Sequence, residues 1–593
     1  TRSQLDLSGF HFFGGLLFVS WPDFLLGLPG GPVASGGNGT TSSNVFLSID
    51  IPGMLDRSWR LTDGNAYAQD DIKLTKSFTL NLGVRYERQA NLGDTLGRNS
   101  GFDVSLANPN PPAAGSIAGY VVSKNLPGAV PAGVKQLDNT YGIRGEHENS
   151  IGPRLGFAWR LPNTFLPLTE RMALRGGYGI YYSRATGQPF LQLAAAPPFA
   201  LLRQLAGPPN AAASFANPFG PDLTFPQFPA YSPTTQQTIS FVDQGYRPPV
   251  TQQFSLNLQT ELGRDFLLEV AYVGARGTHQ IQNRSFNQAL LASAANPIRG
   301  QTTNTVANIP LRVPFRGFTA PGLNDIDSSA SSWYHGLETS FAKRLSKGMQ
   351  FLAAYTFAHA YSTTGRNTLA GGTSGIAGNQ NDLLANYGRS EFNREHRLVL
   401  SYYYELPGPK KVNAFLDNLL GGWAVAGVTT LQSGAPLTLT GTNSNNVFGI
   451  SGSTADRAQL VAGCSYNDLT TSGSVNSKLG NYFNKSCILR NAAGAAIWPV
   501  VGDDGRATAF GNSGVGIVFG PDQRNFDLVL IKRTSLKALG ESSNLEFRSE
   551  FFNAFNTTQF SNPATNVSAA NFGVISTTAV NPRIIQFALK LNF

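Results

Sequence analysis

The chain has 593 residues and a formal net charge of +9, with only 14% charged but 11% aromatic residues. Soluble domains carry roughly 25% charged residues, and helical membrane proteins need apolar runs of about 20 residues. Neither pattern is present, and the mean hydropathy is −0.13. The basic residues are spread along the chain with no Lys/Arg block. That reads as solvated loops and contact with acidic lipid headgroups, not as nucleic-acid binding.

Taken in chain order, residues 1–40 read as a periplasmic turn with an incomplete strand. The apolar stretch 10–28 is broken by Gly14, Gly15, Pro22 and Asp23, and Arg2 is the only basic residue before it, so no secretory signal is legible. From residue 41 onward the dominant pattern is alternation with a period of two, the mark of a strand with one apolar and one polar face. Phe78, Leu80, Leu82, Val84 and Tyr86 alternate with Thr79, Asn81, Gly83, Arg85 and Glu87. The theme recurs at Phe254–Leu258, at Phe266–Tyr272, at Met349–Phe357, at Leu398–Tyr404 and at Leu545–Phe551. It ends with Ile585, Phe587, Leu589, Leu591 and Phe593 on one face and Gln586, Ala588, Lys590 and Asn592 on the other. The expected strands are 41–50, 65–74, 77–88, 151–160, 171–183, 250–261, 265–275, 332–344, 348–359, 394–405, 421–432, 525–534, 543–553 and 583–593. Segments of about 9 to 11 residues suit a tilted crossing of a bilayer.

The connections decide between a soluble sandwich and a barrel in lipid. From residue 65 short and long connections alternate, the long ones being 89–150, 184–249, 276–331, 360–393, 433–524 and 554–582. Outer-membrane barrels have short periplasmic turns and long external loops. The fold class expected is therefore all-β, a transmembrane antiparallel β-barrel occupying 41–593, with about fourteen strands and no plug domain. Residue parity puts Arg85, Glu87, Arg154, Arg175, Glu269, Glu338, Asp527, Glu546, Arg548 and Glu550 on the lumenal face, where they would dock a plug or line a solute path. Tyr86, Trp159, Tyr182, Trp333 and Trp423, near strand ends, read as an interfacial girdle.

Catalytic chemistry has no foothold, and no enzyme activity or cofactor is expected. The six histidines, His11, His147, His279, His335, His359 and His396, show no metal-ligand spacing. Gly176-Gly177-Tyr178-Gly179 lies within a strand, where glycine relieves crowding and does not cradle phosphate. Asp70-Asp71 and Asp503-Asp504 read as solvated turn groups. Cys464 and Cys487, the only thiols, stand in one Gly/Ser/Asn-rich segment without histidine, and a loop-closing disulfide in an oxidising compartment is expected over a metal site.

Several stretches together resemble the TonB-dependent outer-membrane receptors of the Oar-like type. They are Y-A-Q-D-D-I-K-L-T-K-S-F-T-L-N-L-G-V-R-Y-E (67–87), P-R-L-G-F-A-W (153–159), L-R-G-G-Y-G-I-Y-Y (174–182), N-R-E-H-R-L-V-L-S-Y (393–402), F-R-S-E-F-F-N-A-F-N (547–556) and Q-F-A-L-K-L-N-F (586–593). The segment D-F-L-L-G-L-P (23–29) looks like a periplasmic turn leading into a strand. The resemblance implies a barrel of about 22 strands around an N-terminal plug, energy-coupled uptake of a solute, and residence in the Gram-negative outer membrane. The implied partners are outer-membrane lipid and lipopolysaccharide, the TonB machinery acting through the plug, and the barrel-assembly machinery. Phe587, Leu589, Leu591 and Phe593 resemble the family's assembly signal. Plug, energy-coupling box and signal sequence are not legible here, so the expectation is the C-terminal part of a larger receptor. A passive porin-like or adhesin-like barrel is the alternative, and a secreted soluble β-protein a third reading.

Overall fold

The computed structural model describes residues 2–5, 15–17, 25, 47–50 and 53–593, apart from 112–117, 127, 140, 142–146, 163–171, 185–195, 202, 207–222, 232–236, 365–377, 410–412, 444–445, 450–455, 500–502, 537–539 and 541–542. One large sheet dominates. Its main path is β1 (Gly64–Lys73), β2 (Phe78–Ala90), β3 (His147–Arg160), β4 (Met172–Tyr182), β5 (Val250–Leu262), β6 (Phe266–Ser285) and β7 (Phe318–Ser346), followed by β8 (Met349–Ser362), β9 (His396–Glu405), β10 (Trp423–Gln432), β11 (Gln523–Ser535), β12 (Asn544–Phe552) and β13 (Ile584–Asn592). Every strand lies antiparallel beside its neighbour in this order, and β1 and β13 form the two edges among the described residues.

Because residues directly opposite one another share a face, the register converts the sequence alternation into two continuous surfaces. Leu591 pairs with Leu545, Leu589 with Phe547 and Ile585 with Phe551. Trp159 pairs with Phe78, Phe157 with Leu80 and Leu155 with Leu82. In water such a face would be driven into a core; here Phe587 and Leu589 are 68% and 67% exposed. An apolar face left open over a whole sheet is a lipid-facing wall. The sharpest turn, 347–348, joins β7 to β8. Its two residues Lys347 and Gly348 both have positive φ (52° and 73°), the geometry in which a two-residue hairpin matches the twist of its strands.

The connections alternate as the sequence predicts: 74–77, 161–171, 263–265, 347–348, 406–422 and 536–543 are short, and 91–146, 183–249, 286–317, 363–395, 433–522 and 553–583 are long. Three expectations need correction. The expected strand 41–50 is described only at Leu47–Asp50, which pairs with Gly15–Leu17 and Arg203–Ala206 outside the large sheet. Secondly, the described part of 1–40 does not sit at the short-turn end. Arg2–Leu5 pairs with Arg57–Arg60, which enters β1 from the long-loop side; the segment 23–29 lies outside the described residues except for position 25. Thirdly, the expected loop 276–331 is strand at both its ends, 276–285 in β6 and 318–331 in β7, around a connection at 286–317. β6 and β7 run on past the membrane-crossing part, 332–346 in β7, through register shifts between Gly277 and Gln280 and between Gln280 and Gln282. These bulges bend the pair, and Gln237–Val242 adds a parallel strand to its outer end.

The long loops fold into a canopy with its own cores. One core takes Leu437, Leu439, Leu460, Leu469, Phe483 and Trp498 from 433–522 and Val567, Phe572 and Ile575 from 553–583. Another joins Phe102 and Tyr120 to Tyr231, Phe241, Phe318 and Leu323.

Candidate functional site

The face opposite the lipid wall carries the polar groups. Following the register from β1 to β13 puts Arg85, Glu87, Arg154, Arg175, Glu269, Glu338, Asp527, Glu546, Arg548 and Glu550 on this one face. They group in two places. At the β2–β5 side, Arg85 pairs with Glu87, whose other oxygen accepts from Gln89 Nε2 at 2.9 Å. Next to them the Arg154 guanidinium lies 5.0 Å from the centre of the Tyr181 ring, a cation–π contact. The glycines of this wall have a local reason. A Cβ at Gly179 would come within 2.8 Å of the Tyr181 ring, so glycine lets that ring lie along the sheet beneath Arg154. The result is a groove of about 480 Å³ whose lining includes Asn81, Gly83, Arg154, Gly177, Tyr181 and Ser255.

At the β9–β12 side the charges form a ladder. Arg533 Nε donates to Glu546 at 2.7 Å, Arg548 stands 3.5 Å from Glu546 and 3.7 Å from Glu550, and Arg533 also donates to the Tyr403 hydroxyl at 2.9 Å. Tyr403 in turn donates to Glu405 at 3.2 Å. Asp527 accepts from Asn525 and from the backbone N–H of Asn553, which pins the start of the last long loop to the wall. Glu338 accepts from Tyr334. Arg175 and Glu269 have no ion-pair partner among the described residues. Arg533 and Tyr403 escape a reading strand by strand, although Arg533 has the same parity as Asp527 and alternation alone puts it inward.

The outward face has its own polar feature at the loop end. His335 stands opposite His359, and His396 opposite Phe357. Tyr272 and His335 Nδ1 lie 2.7 Å apart, Tyr355 and His396 Nδ1 2.8 Å, and His359 Nε2 and Glu395 2.8 Å. Sequence spacing hides this gathering, because the three histidines come from three strands. The described residues contain no group of His, Cys, Asp and Glu able to hold a metal ion. The girdle residues Tyr86, Trp159, Tyr182, Trp333 and Trp423 all fall in outward rows, and Phe587, Leu589 and Leu591 share that face; Phe593, 92% exposed, follows the end of β13. Asp70 and Asp71 lie within β1, not in a turn. Asp70 stands opposite Leu82 in the outward row, while Asp71 accepts from Asn81.

Above the polar wall, the canopy is cross-tied by buried polar groups. Cys464 and Cys487 are joined by a disulfide with Cα atoms 5.7 Å apart, and both pack on the larger canopy core. Arg312, fully buried, donates to Asn308 Oδ1 and to the Val447 carbonyl, both at 2.7 Å, and so links two loops; burial lowers its pKa. Asp503 and Asp504 are exposed turn residues, as expected, and they also accept from the backbone N–H groups of Asn304 and Val306, so they tie two loops together as well. Burial also raises the Tyr482 hydroxyl to about 12, with Asp522 adding to the effect; it donates to the Phe519 carbonyl.

The profile of the family described as Outer membrane beta barrel domain matches residues 5–586. No curated protein matches the chain. Among solved structures, the closed form of the ferric-catecholate import receptor Fiu from E. coli K12 is 10% identical, with 90% of this chain and 45% of that chain covered and a TM-score of 0.35. The FrpB iron transporter from Neisseria meningitidis is 10% identical, with 90% and 45% covered and a TM-score of 0.37. The copper transporter OprC is 10% identical, with 93% and 49% covered and a TM-score of 0.36. The chain thus spans less than half the length of these solved chains. With an apolar wall for lipid, a polar wall behind it and a family profile over nearly all its length, this is a barrel protein of the Gram-negative outer membrane, and the chain belongs to the outer membrane beta barrel domain family.

Proposed function

We propose that the chain is the C-terminal part of an Oar-like TonB-dependent receptor that takes up a solute across the outer membrane. The canopy catches the solute, and the polar wall conducts it once inner-membrane machinery remodels a plug supplied by sequence outside these residues. The observation that carries this reading is the sorting of charge. The Arg154–Tyr181 groove and the Arg533–Glu546–Arg548–Glu550 ladder lie on the face turned away from lipid, where fixed charges serve a docked plug or a passing polar solute. An Arg or Lys facing lipid near the midplane costs roughly 2–4 kcal/mol, and an Asp or Glu less, so the gathering of these groups on one face is selective, although the outward rows hold Asp70, Lys343 and Lys532 toward the short-turn ends of their strands.

The test is a photo-crosslinking amino acid at Ser255 or Gly177, in the groove, in the whole receptor expressed in its outer membrane. The expected product is an intramolecular crosslink to a segment encoded upstream of Thr1. An upstream reading frame without a plug, together with no crosslink, would instead make the barrel a passive pore or an adhesin. The closing strand has a separate role in this proposal, as the signal read by the barrel-assembly machinery. Deleting Phe593 is expected to reduce the heat-shifted, folded band of the membrane-inserted protein, and an unchanged band would contradict that role.

A further inference from the structure

The turns at the end opposite the canopy include one of unusual build. Between β9 and β10, residues 406–422 carry the helix Ala414–Leu420, N-capped by Asn413, whose side chain accepts from the Leu416 N–H at 2.9 Å. Phe415, Leu416, Leu419 and Leu420 recur at helical spacing and share one side, with Asp417 and Asn418 on the other. Such a stripe is normally buried, yet Phe415 is 74% exposed, Leu419 54% and Leu420 53%.

Two contacts fix where this helix lies. Trp423 Nε1 donates to the Leu419 carbonyl at 3.1 Å, and Lys532 Nζ donates to the Gly421 carbonyl. Trp423 and Lys532 stand opposite each other in the outward row, with the ammonium 5.7 Å from the indole centre. The C-terminal end of the helix is therefore held on the lipid side of the sheet, at the level where the wall meets water on the periplasmic side. Met349, Tyr404 and Leu406, at the same end, are also exposed.

We propose that the helix Ala414–Leu420 lies in the periplasmic leaflet of the outer membrane, with Phe415, Leu416, Leu419 and Leu420 among the acyl chains of phospholipids. The stripe is continuous with the lipid-facing wall, which makes lipid its natural solvent. Lys532 stands beside its C-terminal end, donating to the Gly421 carbonyl. Cations at this depth meet phosphate headgroups, and tryptophan favours the same interface. Amphipathic helices with one apolar and one polar side lie in the plane of a membrane surface. A protein partner fits less well: a helix of 7 residues is only about 10 Å long, far too small to supply the roughly 1,200 Å² of a stable protein interface. The inference rests on the barrel fold alone and is independent of what the barrel transports.

Nitroxide labels at Phe415→Cys, Leu419→Cys and Asn418→Cys, read by power saturation in outer membranes, test it; the native cysteines are paired with each other and stay unlabelled. Labels at Phe415 and Leu419 are expected to collide more with oxygen than with a water-soluble nickel chelate, and the label at Asn418 to show the reverse. Equal access of the chelate to all three would put the helix in water and overturn the proposal. Low collision with both agents at Phe415 and Leu419 would mean that protein covers the stripe, and would overturn it as well. Each labelled protein must first show the heat-shifted band; should Phe415→Cys fail to assemble, Leu420→Cys in the same stripe reads the same face.

Discussion

The sheet and its canopy treat the same side chains in opposite ways. On β13, Phe587 is 68% exposed and Leu589 67%, whereas in the canopy Phe483 is fully buried and Phe572 2% exposed. Phe483 and Phe572 stack with ring centres 5.3 Å apart, inside a core like that of any soluble domain. The chain is built for two solvents. In the sheet, apolar groups face lipid and most of the ion-paired charge lies on the other face; in the canopy, apolar groups hide and buried polar groups such as Arg312 tie the loops together. A near-zero mean hydropathy is the average of these two designs and describes neither.

If the canopy is a water-built domain, its core is where a truncation costs most. Phe483→Ala is expected to destabilise the canopy by about 3–5 kcal/mol, the usual cost of deleting a fully buried ring. Proteolysis should then cut within 433–522 while the heat-shifted band of the barrel persists. Loss of that band along with the canopy would show that the two regions do not fold separately.

On the lipid wall the sensitive change is charge, not volume. Phe587→Arg is expected to cost roughly 2–4 kcal/mol in a denaturant titration of the protein in lipid, as a cation near the midplane does. Gln586→Arg, one residue away on the polar face, should leave the midpoint unchanged. Equal effects of the two would erase the distinction between the walls.

A smaller effect marks the border between the regions, where the outer extension of β7 leaves the membrane. There Asp325 is buried, and burial, with help from Asp327 and Asp243 and against Arg284, raises its carboxyl to about 7. Since the folded form holds the proton more tightly than the unfolded one, its stabilisation is complete below the ordinary carboxyl range and fades as pH rises through about 7. Hydrogen exchange in Gln237–Val242 should therefore be slower at low pH than at high pH after correction for intrinsic rates, and Asp325→Asn should flatten that dependence. A flat profile in the unmodified protein would refute it.

This division also explains what could be read in advance. Lipid constrains each strand residue by residue, so period-two alternation found the sheet strands, their parity and the inward charges from Arg85 to Glu550. The canopy obeys contacts between segments far apart in sequence. The outer parts of β6 and β7 are rich in Asn, Asp and Ser and look like loop, yet they pair with each other, and β7 also pairs with the distant Gln237–Val242. Asp503 and Asp504 are the solvated turn groups they look like, but their bonds to the loop at 304–306 show only once that loop is set against them. Within the site the inward row was legible from alternation, whereas the Arg533–Tyr403 contact, 130 residues apart in sequence, needed the order of the strands. The segment 41–50 alternates enough to pass for a sheet strand, and only the pairing partners of its described part, Leu47–Asp50, place that part elsewhere.

The central claim is that the outward face of the sheet meets lipid and the inward face does not. Bimane attached in turn at positions 585 to 590 of β13, in bilayers containing doxyl-labelled phospholipid, measures it directly, because the quencher is confined to the lipid. Strong quenching is expected at 585, 587 and 589 and weak quenching at 586, 588 and 590. Uniform quenching along the strand, or the opposite alternation, would contradict the account.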